Sequence, residues 1–220
     1  MPLEARLVIF DCDGVLVDSE PIANRIFTDA LNEVGLRIGY EEVCRDFVGL
    51  SMAECLRRIE QRLGGELPPH FEGDLQQRTF EAFRRELKPV PGVRQALRQI
   101  DLPCCVASSG EQEKIRLSLG LTGLLDRFEG RLFSATEVER GKPHPDLFVH
   151  AARSMNAPPQ TCIVVEDSVP GVQGARAAGM RVLGFAAHGN GDELARAGAT
   201  VFHDMRSLPA LIAKRGHSGS

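Results

Sequence analysis

Five short runs of apolar, often β-branched residues recur along the chain, and each is continuous rather than alternating with polar positions. They occupy residues 7–10, 104–107, 162–165, 181–185 and 200–202. Short continuous apolar runs are typical of strands that are buried on both faces, as in a parallel sheet. The pattern therefore predicts a buried parallel β-sheet.

Between these runs, apolar residues recur with the i, i+3, i+4 spacing of a helix that packs one face on a core. Two such series are Val93, Ala96, Leu97 and Ile100, and Phe148, Ala151, Ala152 and Met155. Strands that alternate with helices predict an α/β fold with a doubly wound parallel sheet. In such folds ligands bind beyond the carboxyl ends of the strands.

Residues 17–87 differ, because they contain helical periodicity but no run that predicts a strand. Ser51 and Glu54 have the spacing of a capping box at a helix start, and Gly64 follows that helix. We therefore expect an α/β core formed by residues 1–16 and 88–220. A unit of about four helices at residues 17–87 interrupts it after the first strand.

The composition of the chain argues against some kinds of partner and indicates where the protein is located. Of 220 residues, 43% are hydrophobic and 25% are charged, and the net charge is −4 with no basic block, so no nucleic-acid partner is expected. The chain has no apolar run of the roughly 18 residues that a membrane-spanning helix needs, so no membrane partner is expected either. The N-terminal residues lack a signal-peptide layout and the six cysteines lack metal-ligand spacing, which predicts a cytoplasmic protein. The oligomeric state stays open.

Acidic residues follow two of the predicted strands. Asp11 and Asp13 come directly after the first strand, and Glu166 and Asp167 end another. If the two strands are neighbours, four carboxylates converge, and their mutual repulsion requires a cation. Oxygen ligands favour a hard ion, so the sequence predicts a Mg²⁺ site.

A second group of residues could hold an anion. Ser108 and Ser109 follow a buried strand and precede a helical stretch, where hydroxyls and free backbone N–H groups bind phosphate. Lys142 stands beside Pro143 in a stiff loop, which suits a point charge aimed at a phosphate.

These segments resemble the four motifs of the haloacid dehalogenase-like hydrolases, in the family's order and from end to end of the chain. The corresponding segments are residues 8–20, residues 106–110, Lys142 with Pro143, and residues 164–168. The helical insertion is similar to the small cap of the beta-phosphoglucomutase-like branch of that family. The resemblance implies a Rossmann-like catalytic core with a helical cap.

The resemblance also implies roles. Asp11 would be the nucleophile and Asp13 the general acid and base. Ser108, the backbone of Ser109 and Lys142 would hold the transferring phosphoryl group. The Mg²⁺ ligands would be Asp11, the Asp13 backbone carbonyl and Asp167, with Glu166 in support. In the cap, Gly49, Ser51 and Arg78 are candidates for substrate contact by their placement alone.

The expected function is a Mg²⁺-dependent phosphatase that acts on a small phosphorylated metabolite, such as a sugar, sugar-acid or polyol phosphate, through an aspartyl-phosphate. One alternative is a phosphosugar mutase of the beta-phosphoglucomutase type. Those mutases carry a cap arginine directly after a Gly-x-Ser turn, where this chain has Met52. A second alternative is a phospho-switch domain without turnover, which the helical insertion and Asp13 disfavour.

Overall fold

The computed structural model describes residues 4–48, 50–187 and 189–214, and within them six strands form one sheet. The strands are β1 (Leu7–Phe10), β2 (Cys104–Ser108), β3 (Leu132–Ser134), β4 (Cys162–Glu166), β5 (Arg181–Phe185) and β6 (Thr200–Phe202). All pair in parallel, in the order β3-β2-β1-β4-β5-β6. The predicted doubly wound α/β sheet is confirmed. Only β3 lacks a counterpart among the predicted strands.

Eleven α-helices lie within the same described residues. Those of the insertion are α1 (Glu20–Glu33), α2 (Tyr40–Phe47), α3 (Met52–Leu63) and α4 (Phe71–Glu86). The others are α5 (Val93–Arg98), α6 (Gln112–Leu121), α7 (Leu125–Phe128), α8 (Asp146–Ser154), α9 (Val169–Ala177), α10 (Gly191–Arg196) and α11 (Leu208–Ala213). None of them combines the length and the apolar character needed to cross a lipid bilayer.

Strand β1 is one of the two central strands, and the direction of winding changes between it and β4. It pairs with β2 on one side and with β4 on the other. All four of its residues are buried. The backbone N–H of Asp11 still donates to the carbonyl of Val165 on β4 at 2.9 Å, so the pairing continues to the strand end. In open parallel sheets the crevice beside such a strand is where ligands bind.

The two faces of the sheet are covered by different helices. Leu7 and Ile9 share a hydrophobic cluster with residues of α8, α9 and α10, including Phe148 and Val172. On the opposite face, the Phe10 ring packs edge-on against Phe128 of α7, with 6.0 Å between ring centroids. Both faces of β1 are therefore buried. This accounts for the absence of polar residues between Leu7 and Phe10.

The chain divides into two compact units, Met1–Asp18 with Lys88–Ser220, and Ser19–Leu87. In the second unit, helix α1 packs against α2 and α4. Helix α3 begins where the capping box predicts, because the Ser51 hydroxyl accepts the Glu54 N–H at 3.2 Å, and it ends at Gly64 in the left-handed conformation. The assignment of the two units as catalytic core and cap stays a prediction.

The cysteines agree with the sequence analysis. All six lie among the described residues, and none is paired in a disulfide. Cys44 is partly exposed and the other five are buried, as expected for small apolar side chains in a core.

Candidate active site

One ammonium group joins the ends of β1 and β4. Lys142 Nζ donates to Asp11 Oδ1 at 2.7 Å and to Glu166 Oε1 at 2.5 Å. Only 5% of the Lys142 side chain is exposed, and the Glu166 side chain is fully buried. Lys142 lies in the loop before α8, and its peptide bond to Pro143 is cis. Its two hydrogen bonds hold this loop lysine at the carboxyl edge of the sheet.

Electrostatics keep this ammonium group charged. Burial by itself would lower the pKa of Lys142, but the Asp11 and Glu166 carboxylates raise it above its ordinary value. The pKa of Asp11 is raised to about 7, first because its carboxyl group is buried, and further because Glu166 and Asp13 are negatively charged neighbours. Lys142 opposes that rise. Asp11 is thus poised to gain or lose a proton near neutral pH.

The Glu166 carboxylate is held from its other side as well. Its Oε2 accepts the backbone N–H groups of Asp167 and Ser168, both at 3.0 Å, and the Ser168 hydroxyl at 2.9 Å. Ser168 in turn caps α9 by accepting the Gly171 N–H at 3.2 Å. A methyl group on Gly171 would lie 1.8 Å from Glu166 Oε1, so only glycine lets the helix start come this close.

Three carboxylates converge at this edge. Asp11, Glu166 and Asp167 each offer an oxygen, and these oxygens lie within 4.8 Å of one another. A methyl group on Gly14 would lie 1.8 Å from Asp167 Oδ2, and Gly14 has a φ of 73°. The loop after β1 therefore needs glycine there both for its conformation and for the approach of Asp167.

Asp13 departs from the expectation that four carboxylates converge. Its carboxylate is not part of the group of three; instead Asp13 Oδ2 accepts a hydrogen bond from Lys114 Nζ at 2.8 Å. Lys114 is in the first turn of α6. Burial would lower the pKa of Lys114, but the Asp13 carboxylate raises it above its ordinary value. Asp13 is thus paired with the ammonium group of Lys114, while Asp11 and Glu166 are paired with that of Lys142.

The loop after β2 lies next to this ion pair. Ser108 is buried, and its hydroxyl accepts the Gly110 N–H at 3.1 Å, whereas Ser109 is exposed. A methyl group on Gly110 would lie 3.5 Å from Ser108 Oγ and 3.9 Å from Asp13 Oδ2. The structure therefore brings the Ser108 loop and the Asp13 carboxylate together at one edge of the sheet.

Two of the three candidate substrate residues of the helical unit have partners inside that unit. Arg78 makes two hydrogen bonds to the Glu33 carboxylate, at 2.6 and 2.9 Å, and Ser51 caps α3. Gly49 lies outside the described residues. Arg78 is thus paired with Glu33 and Ser51 caps a helix, while contact of either residue with substrate stays a prediction.

Comparison of the chain with known proteins identifies its family. Residues 5–179 match the haloacid dehalogenase-like hydrolase family. The chain belongs to this family. The expectation of a hydrolase of this kind is thereby confirmed.

Two named relatives of this hydrolase are phosphatases. It is 35% identical to 6-phosphogluconate phosphatase of Escherichia coli K12 over 210 residues, which cover 95% of each chain. It is 30% identical to hexitol phosphatase B of the same organism over 187 residues, 83% of this chain and 84% of that one. A crystal structure of a family member from Deinococcus radiodurans with bound phosphate and sodium has a TM-score of 0.81 and 32% identity, and covers 96% of each chain.

The structure also shows one charged residue that the sequence analysis missed. Lys114 approaches Asp13 although 101 positions separate them in the chain. A signal was present, because a basic residue in the first turn of a helix is unfavourable with the helix dipole. Such a residue needs an acidic neighbour to offset that cost, but the sequence did not indicate which one.

A buried carboxyl group with a raised pKa makes the stability of the protein depend on pH. Asp11 binds its proton more tightly in the folded chain than in the unfolded chain, where its pKa is 3.8. Its stabilising effect is complete below pH 3.8 and is lost as the pH rises toward about 7. With EDTA present, we expect the stability of Asp11→Asn relative to the wild type to increase by about 1–2 kcal/mol between about pH 5.5 and about pH 8.

Urea unfolding of both proteins at the two pH values measures this change. The control is Asp146→Asn, because Arg140 lowers the pKa of Asp146 and its carboxyl group does not titrate in this range. A stability difference between Asp11→Asn and wild type that stays constant with pH contradicts the raised pKa.

Proposed function

We propose that this hydrolase is a cytoplasmic, Mg²⁺-dependent phosphatase that releases phosphate from a small phosphorylated metabolite through an aspartyl-phosphate on Asp11. The observation that carries the proposal is the position of Asp11, at the end of a central strand and in contact with Lys142. The substrate classes are sugar, sugar-acid and polyol phosphates. The phosphatase relatives and the phosphate bound in the Deinococcus relative support this reading.

The charges of the site support a divalent cation. When all four carboxyl groups are ionised, the ammonium groups of Lys142 and Lys114 leave an excess of two negative charges among these six groups. The cluster offers oxygen donors, which suit Mg²⁺. Asp11, Asp167 and the Asp13 backbone carbonyl would hold the ion. When bound, Mg²⁺ supplies positive charge that neutralises the phosphoryl oxygens.

Glu166 has a supporting role in this proposal. Its Oε2 accepts three hydrogen bonds and its Oε1 accepts the bond from Lys142. A carboxylate with this many donors is held rigidly, and it fixes both Lys142 and the backbone of Asp167. We therefore place it behind the proposed metal ligands.

The first half of the reaction is attack by the Asp11 carboxylate on phosphorus. Phosphoryl transfer depends mainly on positioning and on stabilising charge at the equatorial oxygens. Lys142, which already contacts Asp11, would bind one of these oxygens, and the Ser108 hydroxyl with the Ser109 N–H would bind the others. The carboxylate nucleophile divides hydrolysis into two easier steps.

Asp13 would move the protons. As a general acid it gives a proton to the leaving oxygen of the substrate, and as a general base it takes one from the water that attacks the aspartyl-phosphate. Asp13 stands two residues after Asp11, on the loop that follows the same strand. A phospho-switch domain has no turnover and needs no second carboxylate, so Asp13 favours the phosphatase.

Removal of the nucleophile tests the proposal directly. We expect Asp11→Asn to lower kcat at least about 100-fold, because an amide nitrogen cannot replace the attacking oxygen. The assay is hydrolysis of p-nitrophenyl phosphate and of 6-phosphogluconate with Mg²⁺. Asp101→Asn, at an exposed position of the core unit, is the control. If Asp11→Asn keeps more than about a tenth of the activity, another residue is the nucleophile.

The metal requirement is a separate prediction. Activity should disappear after EDTA treatment, return with Mg²⁺, and be inhibited by Ca²⁺, which prefers more oxygen ligands at longer distances. Steady-state rates at matched ionic strength measure this. Full activity after exhaustive chelation would refute the metal site.

Met52 argues against the mutase alternative. It is the first residue of α3 and is 41% exposed, so it is not simply a core residue of that helix. Its side chain has neither a positive charge nor an N–H donor, so it cannot hold a second phosphate as arginine does. A bisphosphate intermediate would lack this cation, and water should then reach the aspartyl-phosphate first.

Phosphorus NMR distinguishes the two outcomes. With β-glucose 1-phosphate and a catalytic amount of glucose 1,6-bisphosphate, we expect free phosphate to accumulate faster than glucose 6-phosphate. Met52→Arg is the informative variant, because it introduces the positive charge that the mutases carry there and should increase the share of glucose 6-phosphate. Glucose 6-phosphate as the main product of the wild type would overturn the phosphatase assignment.

A further inference from the structure

Lys114 is the second cation of the candidate site, and the roles proposed above leave it unused. Its ammonium group is 2.8 Å from Asp13 Oδ2, and 31% of its side chain is exposed. Lys142 differs in both respects, since it is 5% exposed and contacts two carboxylates. Lys142 is enclosed between two carboxylates, whereas part of the Lys114 side chain is accessible to solvent.

The stem of Lys114 lies over the proposed phosphate-binding loop. A methyl group on Gly110 would lie 3.3 Å from Lys114 Cδ, and within 4 Å of both Ser108 Oγ and Asp13 Oδ2. Gly110 thus marks a point where the loop after β2, the proposed general acid and the lysine stem meet. Because the loop holds the phosphoryl group in our proposal, Lys114 stands beside a bound substrate.

The proposed role of Asp13 as general acid indicates which part of the substrate lies near Lys114. A general acid has to lie within hydrogen-bond distance of the leaving oxygen, or one water away from it. Lys114 contacts this same carboxylate, so in our proposal it lies near the leaving oxygen. An ammonium group has three N–H donors. The contact with Asp13 uses one of them, and the other two can meet oxygens of the leaving group.

We propose that Lys114 selects substrates whose leaving group carries a carboxylate, so that the preferred class is phosphorylated sugar acids. The inference rests on the proposed phosphatase function and deepens it. An ammonium group attracts a carboxylate through opposite charge as well as through the hydrogen bond, whereas a hydroxyl or an aldehyde oxygen brings no opposite charge. Neutral sugar phosphates and polyol phosphates are then poorer substrates.

A purely structural role makes a different prediction. If Lys114 only positions the Asp13 carboxylate, its loss impairs proton transfer to every leaving group by a similar factor. If it binds the substrate carboxylate, its loss impairs the sugar-acid phosphate most, mainly through KM. The ratio of kcat/KM values between substrates therefore separates the two roles.

The experiment measures kcat/KM for 6-phosphogluconate, glucose 6-phosphate and sorbitol 6-phosphate with Mg²⁺. In the wild type we expect 6-phosphogluconate to be preferred. In Lys114→Met, kcat/KM for 6-phosphogluconate should fall about 10- to 100-fold more than for the two neutral substrates. Lys114→Arg keeps the charge and should retain most of the preference. Lys114→Gln repeats the comparison if the methionine variant does not fold.

The matched control is Arg116→Met on the same helix. Arg116 pairs with Glu129 at 2.9 Å, its side chain is 49% exposed, and it has no proposed part in the site. This variant removes one positive charge from α6 but should leave the substrate ratio unchanged. A matching loss of preference in Arg116→Met would show that general charge, and not Lys114, selects the substrate, and would overturn the inference.

The other outcomes are equally distinct. Equal losses on all three substrates in Lys114→Met, or a wild type without preference for the sugar acid, overturn the inference and leave the phosphatase assignment intact. A wild-type protein that hydrolyses neither these substrates nor p-nitrophenyl phosphate contradicts the proposed function itself.

Discussion

The buried contact of Lys142 with Asp11 and Glu166 is the interaction on which the site depends. Two carboxylates at the ends of adjacent strands repel each other, and burial strengthens that repulsion because little water screens it. An ammonium group between them converts the repulsion into two attractive contacts. Removing one partner of such a buried group is costly, since it leaves a charge unpaired. The loop before α8 is thereby attached to the centre of the sheet.

Close approach of backbone to carboxylate is the second constraint. Gly171 and Gly14 leave the space that Glu166 and Asp167 occupy, and any larger residue would displace those carboxylates. Because the helix start at Gly171 comes so close, Glu166 accepts N–H groups at the positive end of the α9 dipole. Concentrated negative charge is tolerated here because backbone dipoles and the Lys142 ammonium group surround it. The same concentration makes the site suitable for a divalent cation.

The two lysines divide the site into two parts in our proposal. Lys142 is buried beside the nucleophile, where any substrate presents the same phosphoryl group. Lys114 is more exposed and lies beside Asp13, where the leaving group differs between substrates. The proposal thus assigns the reaction chemistry and the selection of substrate to different cations. Selection then need not depend on the helical unit alone.

Much of this architecture follows from the sequence. Continuous apolar runs predicted five of the six strands, because strands buried on both faces exclude polar residues. The residues after those runs, Asp11 and Glu166 among them, were placed correctly at the carboxyl edge, since parallel strands all end there. Strand β3 escaped the prediction because it has no β-branched residue and ends in Ser134, whereas the equally short β6 contains Thr200 and Val201.

Only the tertiary structure decided which side chains meet. The sequence indicated that Asp11, Asp13, Glu166 and Asp167 lie at one edge, but it could not show that three of them converge while Asp13 pairs with Lys114. It could not show either that Arg78 is held by Glu33. These pairs are separated by 101 and 45 positions. The pattern of apolar and polar residues within one helix or strand indicates which positions are buried and which residue ends the element. Contacts between distant residues depend instead on strand order and on the packing of helices against the sheet.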